Sequence, residues 1–321
     1  MLPCHLILPP DATGFITGLH RLRQCFTTYA ETSPQPLPAP GLVITREIRL
    51  QSELYLPIDG IRRLFYRLYR TTLSFSPVFC SSPFHNAVSW ADCYVSFPSW
   101  LQFSPDPSVL LERLLEDRNL LQKFIFYSFL PGRFNGAGFD RYPEQLALIR
   151  EFFINWRSEE RSSLRCLDAA SGTGEGSWQL AEILSESGWK PEQTSICGWT
   201  LEPLEVWAAE NLHLPHDPER ERACRQRIDP LIAEGWGERI SFKVVDLLKE
   251  SNRGEPFDLI LCNGLLGGPI IDNKDDMQQI ATRLSLLKAP GGQIMVASRF
   301  HDGWKKRFPE AVIDSMITGL D

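Results

Sequence analysis

The chain has 321 residues, 43% of them hydrophobic and 23% charged, with a formal net charge of −7 and a pI near 5.5. That length accommodates a full α/β core plus one accessory domain. The acidic balance makes nucleic acid an unexpected partner, because general nucleic-acid binding needs a phosphate-neutralising surface.

The N-terminus Met1–Pro10 is too short and too uncharged to read as a signal peptide, and no apolar run reaches membrane-spanning length, so no membrane association is expected. The eight cysteines are scattered, with neither a Cys-x-x-Cys pair nor a His/Cys cluster of metal spacing. They read as reduced thiols of a cytoplasmic protein without a metal site. Ser33–Pro40 is a proline-rich extended connector. Leu42–Leu50 ends in strand-like alternation, and residues 74–104 are aromatic and β-prone with prolines between them, which predicts an α+β accessory domain over residues 1–130. Between those stretches, Ile61–Arg70 has the spacing of an amphipathic helix with a basic face. From Val109 to Leu130, apolar residues at Leu111, Leu114, Leu115, Leu121 and Phe124 predict one helix that packs the two parts together.

From residue 131 a different rhythm takes over. A helix is expected over 142–156, followed by Cys166-Leu167-Asp168-Ala169-Ala170-Ser171-Gly172-Thr173-Gly174-Glu175-Gly176, a buried strand running into a tight glycine turn. Ser177–Leu184 then has helical spacing. A glycine turn opening a helix lets backbone approach a ligand where Cβ is absent and presents unpaired N–H groups. Strand-then-helix units continue through Ser195–Leu201, with Glu202 as cap and Pro203 opening a helix to Asn211, and through Ile240–Asp246 and the apolar run Phe257–Asn263. A helix candidate over 274–288 and a turn into strand Gly291–Ala297 follow, and Ala311–Ile317 offers one more strand. The alternation predicts a doubly wound parallel sheet with its ligand at the carboxyl ends of the strands.

The Asp-x-Ala-x-Gly-x-Gly pattern lacks the third glycine of a dinucleotide fingerprint and resembles motif I of the class I S-adenosylmethionine (SAM)-dependent methyltransferases. More narrowly, Ala170–Glu175 followed by an aromatic and Leu180-Ala181 is similar to the Ser-Thr-Gly-Glu-Glu-x-Tyr-x-Leu-Ala segment of CheR-type chemotaxis methyltransferases. Phe257–Cys262 looks like that family's Phe-Asp-x-Ile-x-Cys strand, Asp246-Leu247-Leu248 stands where it has Asn-Leu-Leu, and Phe139-Asp140-Arg141 keeps the Phe and Arg of its Thr-x-Phe-Phe-Arg motif. The resemblance spans roughly residues 136–300.

It implies a Rossmann-like methyltransferase domain over 131–321, SAM as cofactor, and a CheR-like transfer of methyl to a carboxylate such as a protein glutamate. Arg141 would pair with the SAM carboxylate, Glu175 would meet its ammonium, Asp168 would organise the loop, and Asp246 and Leu247 would contact adenine. Ala170, Gly172, Gly174, Cys262 and Asn263 complete the cofactor set. The family's ribose-binding acid falls on Thr200, with Glu202 the nearest carboxylate; the family's second glutamate is Gly176, and its Arg-Asn-Val-x-Ile-Tyr is here Asn263–Pro269. These departures keep two alternatives open: a small-molecule or nitrogen acceptor, and a catalytically silent SAM-binding scaffold. The acceptor, protein or small molecule, is not identified by any motif, nor is a catalytic residue.

Overall fold

A computed structural model describes residues 5–78, 82–130, 138–158, 162–249, 254–268 and 270–297. The chain divides into two compact units, Met1–Pro131 and Gly132–Asp321. The strand candidate Ala311–Ile317 lies outside the described residues.

The first unit is built from helices α1 (Ile16–Thr32), α2 (Arg46–Tyr55), α3 (Ile58–Thr72), α4 (Trp90–Ser96), α5 (Pro107–Glu116) and α6 (Arg118–Phe129). The expected α+β character reduces, among the described residues, to one antiparallel bridge between Ile7 and Leu73. The alternation in Leu42–Leu50 misleads: the Thr45 hydroxyl accepts the Ile48 N–H and caps α2, which buries Ile48 and Ser52 and leaves Leu50 exposed. The aromatic residues of the 74–104 stretch fill a helical core rather than a sheet, with Phe84 stacked on Phe65 at 4.2 Å and Trp90 edge-on to Phe97. The single helix expected over 109–130 is two. Asp117 ends α5, and its carboxylate then caps α6 by accepting the N–H groups of Asn119 and Leu120.

The amphipathic helix is present as α3, with Ile61, Phe65 and Leu68 fully buried. Two of its arginines fasten the unit: Arg62 donates to the carbonyls of Phe84 and Ala87, and Arg67 lies over the Phe15 ring.

The second unit holds α7 (Pro143–Ser158), β1 (Leu164–Asp168), α8 (Glu175–Glu186), β2 (Thr194–Thr200), α9 (Pro203–Asn211), α10 (Pro218–Ala233), β3 (Ile240–Val244), β4 (Phe257–Asn263), α11 (Lys274–Leu287) and β5 (Lys288–Ala297). The five strands pair in parallel in the order β3-β2-β1-β4-β5, the expected doubly wound sheet. Because side chains alternate across a strand, Cys166, Leu259 and Leu261 pack toward α7, α8 and α10, whereas Leu167, Ile260 and Cys262 pack toward α11. Burial on both faces is what made these runs apolar throughout. The β5 ladder begins at Lys288 and loops out before Gln293 pairs with Leu259. Gly292 permits this, since a Cβ there would lie 2.8 Å from the Asp258 carbonyl.

One aromatic ring fixes the spacing around the glycine loop. Phe242 on β3 sits beside Gly198 on β2, where a Cβ would come within 2.5 Å of its ring, and reaches Gly174, where a Cβ would meet it at 2.8 Å. Gly198→Ala should therefore destabilise the protein by about 1–3 kcal/mol through overpacking, read as a lower urea midpoint, and Phe242→Leu in the same chain should recover part of the loss.

Candidate functional site

Strand order reverses between β1 and β4, so the loops leaving these strands flank the crevice where open α/β sheets take their ligands. The loop after β1 is fastened on both sides. Ala169 N–H donates to the Leu261 carbonyl of β4 at 2.7 Å, and Ser171 N–H donates to the Trp199 carbonyl of β2 at 2.9 Å. Asp168, 4% exposed, accepts from the Ser177 hydroxyl at 2.9 Å and from the Ala170 N–H. Gly172 and Gly174 have φ of +51° and +93°, which glycine adopts at least cost. Gly176 makes room for Asp168, because a Cβ there would lie 2.9 Å from a carboxylate oxygen. At Gly174 a Cβ would meet the Phe242 ring at 2.8 Å and Ala209 at 2.9 Å, so a side chain is excluded there by packing as well as by backbone angle.

Buried acids gather at the ends of β1 and β2. Glu175, 2% exposed, accepts from Arg220 Nε at 2.8 Å and Nη2, and from the Thr173 hydroxyl at 2.6 Å. Its carboxylate, expected to meet a ligand ammonium, thus already holds an internal guanidinium. The Thr200 hydroxyl donates to Glu205, while Glu202 is buried at the start of α9. Glu202 stands at the cap position without a side-chain capping bond. Burial pushes Glu205 up to about 7 against the Thr200 hydrogen bond, and the charges of Glu202 and Glu175 add to the rise. Burial likewise pushes Asp168 up to about 6, against its hydrogen bond from Ser177, with Glu175 adding to it.

The remaining candidates fall into two groups. At the end of β4, Cys262 is fully buried, and burial, followed by the Asp168 charge, pushes its thiol up to about 12, so it packs rather than reacts. Asn263 exchanges two hydrogen bonds with Gln145 of α7, at 3.0 and 2.8 Å. Arg141 lies four residues before Gln145, with its guanidinium 5.3 Å from the Tyr142 ring, so it joins α7 next to the end of β4. Beyond β3, Asp246 accepts from Leu248 N–H and pairs with Lys249 at 2.9 Å; these contacts outweigh burial and hold its carboxyl below the usual range. Leu247 is buried in the cluster beneath α11, filling core. A cavity of about 20 Å³, room for one water, lies between Thr173, Glu175, Leu214, Cys224 and Ile228.

Four residues absent from the candidate set shape this site: Gln145, Glu205, Arg220 and Phe242. Arg220 sits on α10, whose signal was available in Asp217-Pro218-Glu219, with Asp217 accepting the Arg220 N–H, and in Cys224, Ile228 and Leu231 at helical spacing.

The two raised carboxyls set a pH dependence. Folded Asp168 and Glu205 hold protons more tightly than their ordinary values of 3.8 and 4.5, so the folded state binds more protons across the interval up to about 7. Stability from these groups therefore falls as pH rises through that interval, with the loss complete above it. Glu205→Gln should flatten the decline of Tm between pH 4.5 and 7 in thermal melts followed by circular dichroism; an unchanged slope would contradict the assignment.

No protein-family model matches the chain, and no curated protein does. Among solved structures it is similar to a TehB-like SAM-dependent methyltransferase from Corynebacterium glutamicum ATCC 13032, at 14% identity over 56% of this chain and 81% of that one, TM-score 0.32. It is also similar to the [4+2]-cyclase SpnF, at 19% identity over 55% and 56%, TM-score 0.34. A third similarity is to geranyl diphosphate methyltransferase solved with GPP and sinefungin, at 14% identity over 47% and 45%, TM-score 0.30. The chain thus spans about half the length of the latter two, and similarity at this level carries no inference about chemistry. Among the described residues, no helix is long and apolar enough to cross a membrane.

Proposed function

We propose that the second unit is a SAM-dependent methyltransferase whose cofactor lies across the carboxyl ends of β1, β2 and β4. The observation that carries this reading is a glycine loop at the switch point of the sheet beside buried acids, two of which bind protons unusually tightly. Burial first, and neighbouring acids after it, raise these carboxyls, and a cationic ligand placed among them would favour their ionised forms. A polyphosphate nucleotide would be repelled by the same acids. SAM suits the donor set, with a sulfonium and an ammonium for the acids and a carboxylate for a guanidinium.

In this reading Arg141 meets the cofactor carboxylate with bidentate geometry. Asp168 holds the loop in place from beneath. Glu202 takes the ribose role expected of Thr200, whose hydroxyl is engaged by Glu205. Asp246 keeps acceptor capacity for an adenine amino group beyond its bonds to Leu248 and Lys249. When bound, SAM supplies an electrophilic methyl group. The protein's contribution is to align the acceptor with it and exclude water, an effect worth about 7–11 kcal/mol at best. A carboxylate acceptor, as in the CheR type, is ionised near neutral pH and needs no general base. Gly264 and Gly267, both at positive φ after β4, shape the mouth through which the acceptor enters. A second reading, cofactor binding without transfer, is favoured by one observation: Arg220 occupies Glu175.

Titration calorimetry should give heat with SAM and with its demethylated product, S-adenosylhomocysteine, and Gly172→Val should weaken both at least about tenfold while circular dichroism keeps its folded form. No heat from either ligand with the wild-type protein overturns the reading.

Incubation with methyl-labelled SAM and candidate acceptors then separates transfer from silent binding. A carboxyl methyl ester should release its label as methanol in mild alkali; alkali-stable label would replace the carboxylate acceptor with a nitrogen or hydroxyl one.

A further inference from the structure

The same helix that supplies Arg220 supplies a second arginine two turns on, and this one reaches the segment ahead of α7. Arg227 donates from Nη1 and Nη2 to the carboxylate of Asp140, and from Nε at 3.2 Å and Nη2 to Glu182 of α8. Its guanidinium lies 4.2 Å from the centre of the Phe139 ring. Gln179 of α8 completes the arrangement: Asp140 N–H donates to its side-chain oxygen at 3.1 Å, and its side-chain N–H₂ donates back to Asp140 at 2.7 Å. Asp140 has φ of +59°, a left-handed conformation that non-glycine residues seldom adopt.

These contacts bury little. The Asp140 side chain is 61% exposed and that of Arg227 31% exposed, so the ion pair itself adds little to the core, against which Phe139 packs. What they fix is direction. A left-handed residue held by backbone, carboxylate and neighbouring ring sends the chain into Arg141 along one path, and four residues later Gln145 is bonded to Asn263 at the end of β4. We propose that Arg227 is a positioning residue: by clasping the Phe139–Asp140 turn to α8 and α10, it sets Arg141 for the carboxylate of the cofactor. Arg220 and Arg227 lie seven residues apart on one face of α10. The assignment rests on the cofactor reading above.

The test compares two ligands by calorimetry: S-adenosylhomocysteine, which carries the amino-acid carboxylate, and 5′-methylthioadenosine, which lacks it. Arg227→Met should weaken the first about tenfold and leave the second within about twofold, with Arg227→Lys intermediate. In an Arg141→Met background, Arg227→Met should cause no further loss, because the two residues act in series. Equal weakening of both ligands, unchanged affinity for S-adenosylhomocysteine, or additive losses would each overturn the proposal. Should Arg227→Met fold poorly, Asp140→Asn, which retains the Gln179 contacts and tolerates positive φ, carries the same expectation. A ligand-free measurement keeps this apart from the cofactor reading: Arg227→Met should speed amide exchange at Asp140 about tenfold, and unchanged exchange overturns the clasp. Wild-type protein that binds neither ligand overturns the cofactor reading and, with it, the role given to Arg141, whatever the exchange shows of the clasp.

Discussion

The carboxylate of Asp168 is the constraint on which the carboxyl edge of the second unit depends. It lies buried at the last residue of β1, accepts from the first turn of α8 through Ser177 and from the loop between them through Ala170, and so ties strand, turn and helix into one piece. Gly176 exists in the space this carboxylate needs. A charge so placed is held at some cost, and its raised proton affinity expresses that cost. The loop is in turn bonded to β2 through Ser171 and to β4 through Ala169, so its shape is inherited from three strands at once.

Around this centre the charges are arranged in two tiers. Glu175 is matched by Arg220, an ion pair with both side chains largely withdrawn from water, and such pairs are costly to break from one side only. Glu202 and Glu205 stand nearby; burial first, and then the charges of Glu202 and Glu175, keep the proton affinity of Glu205 high although Arg220 acts against them. In the proposed cofactor site, a cationic ligand would meet these acids beside the guanidinium that α10 contributes. This is a physical reason for treating the β2-to-β3 connection as part of the site rather than as a link between strands.

Much of this was legible in the residues themselves. The runs around Cys166 and Leu259 announced strands because both faces are covered, and the glycine turn announced a tight loop between strand and helix because few other residues tolerate such backbone. The N-terminal unit was less legible: its aromatic residues have strand propensity, yet they pack between helices, where long-range contact overrides local preference. Asp117 broke one expected helix into two by serving as the end of one and the cap of the next. The Arg220–Glu175 and Gln145–Asn263 partnerships join residues far apart in the chain, and nothing in local pattern reveals them. Gly174 was legible as a position of unusual backbone, and its φ of +93° agrees; the phenyl ring and methyl group that crowd it were not.

Arg141 is flanked by two fastenings of different kinds. Ahead of it, Asp140 is held largely by the charge of Arg227 at a surface open to solvent ions; behind it, Gln145 and Asn263 form a neutral amide pair. Ions screen the first and leave the second untouched, because the Debye length shrinks from about 10 Å at 0.1 M to about 3 Å at 1 M salt. Rising ionic strength thus weakens the Arg227 contact, leaving Asp140 to its Gln179 bonds at one end and Gln145 to its amide partner at the other. A halophilic environment would favour replacing the ionic fastening with an uncharged one, while the amide pair would serve unchanged in any medium.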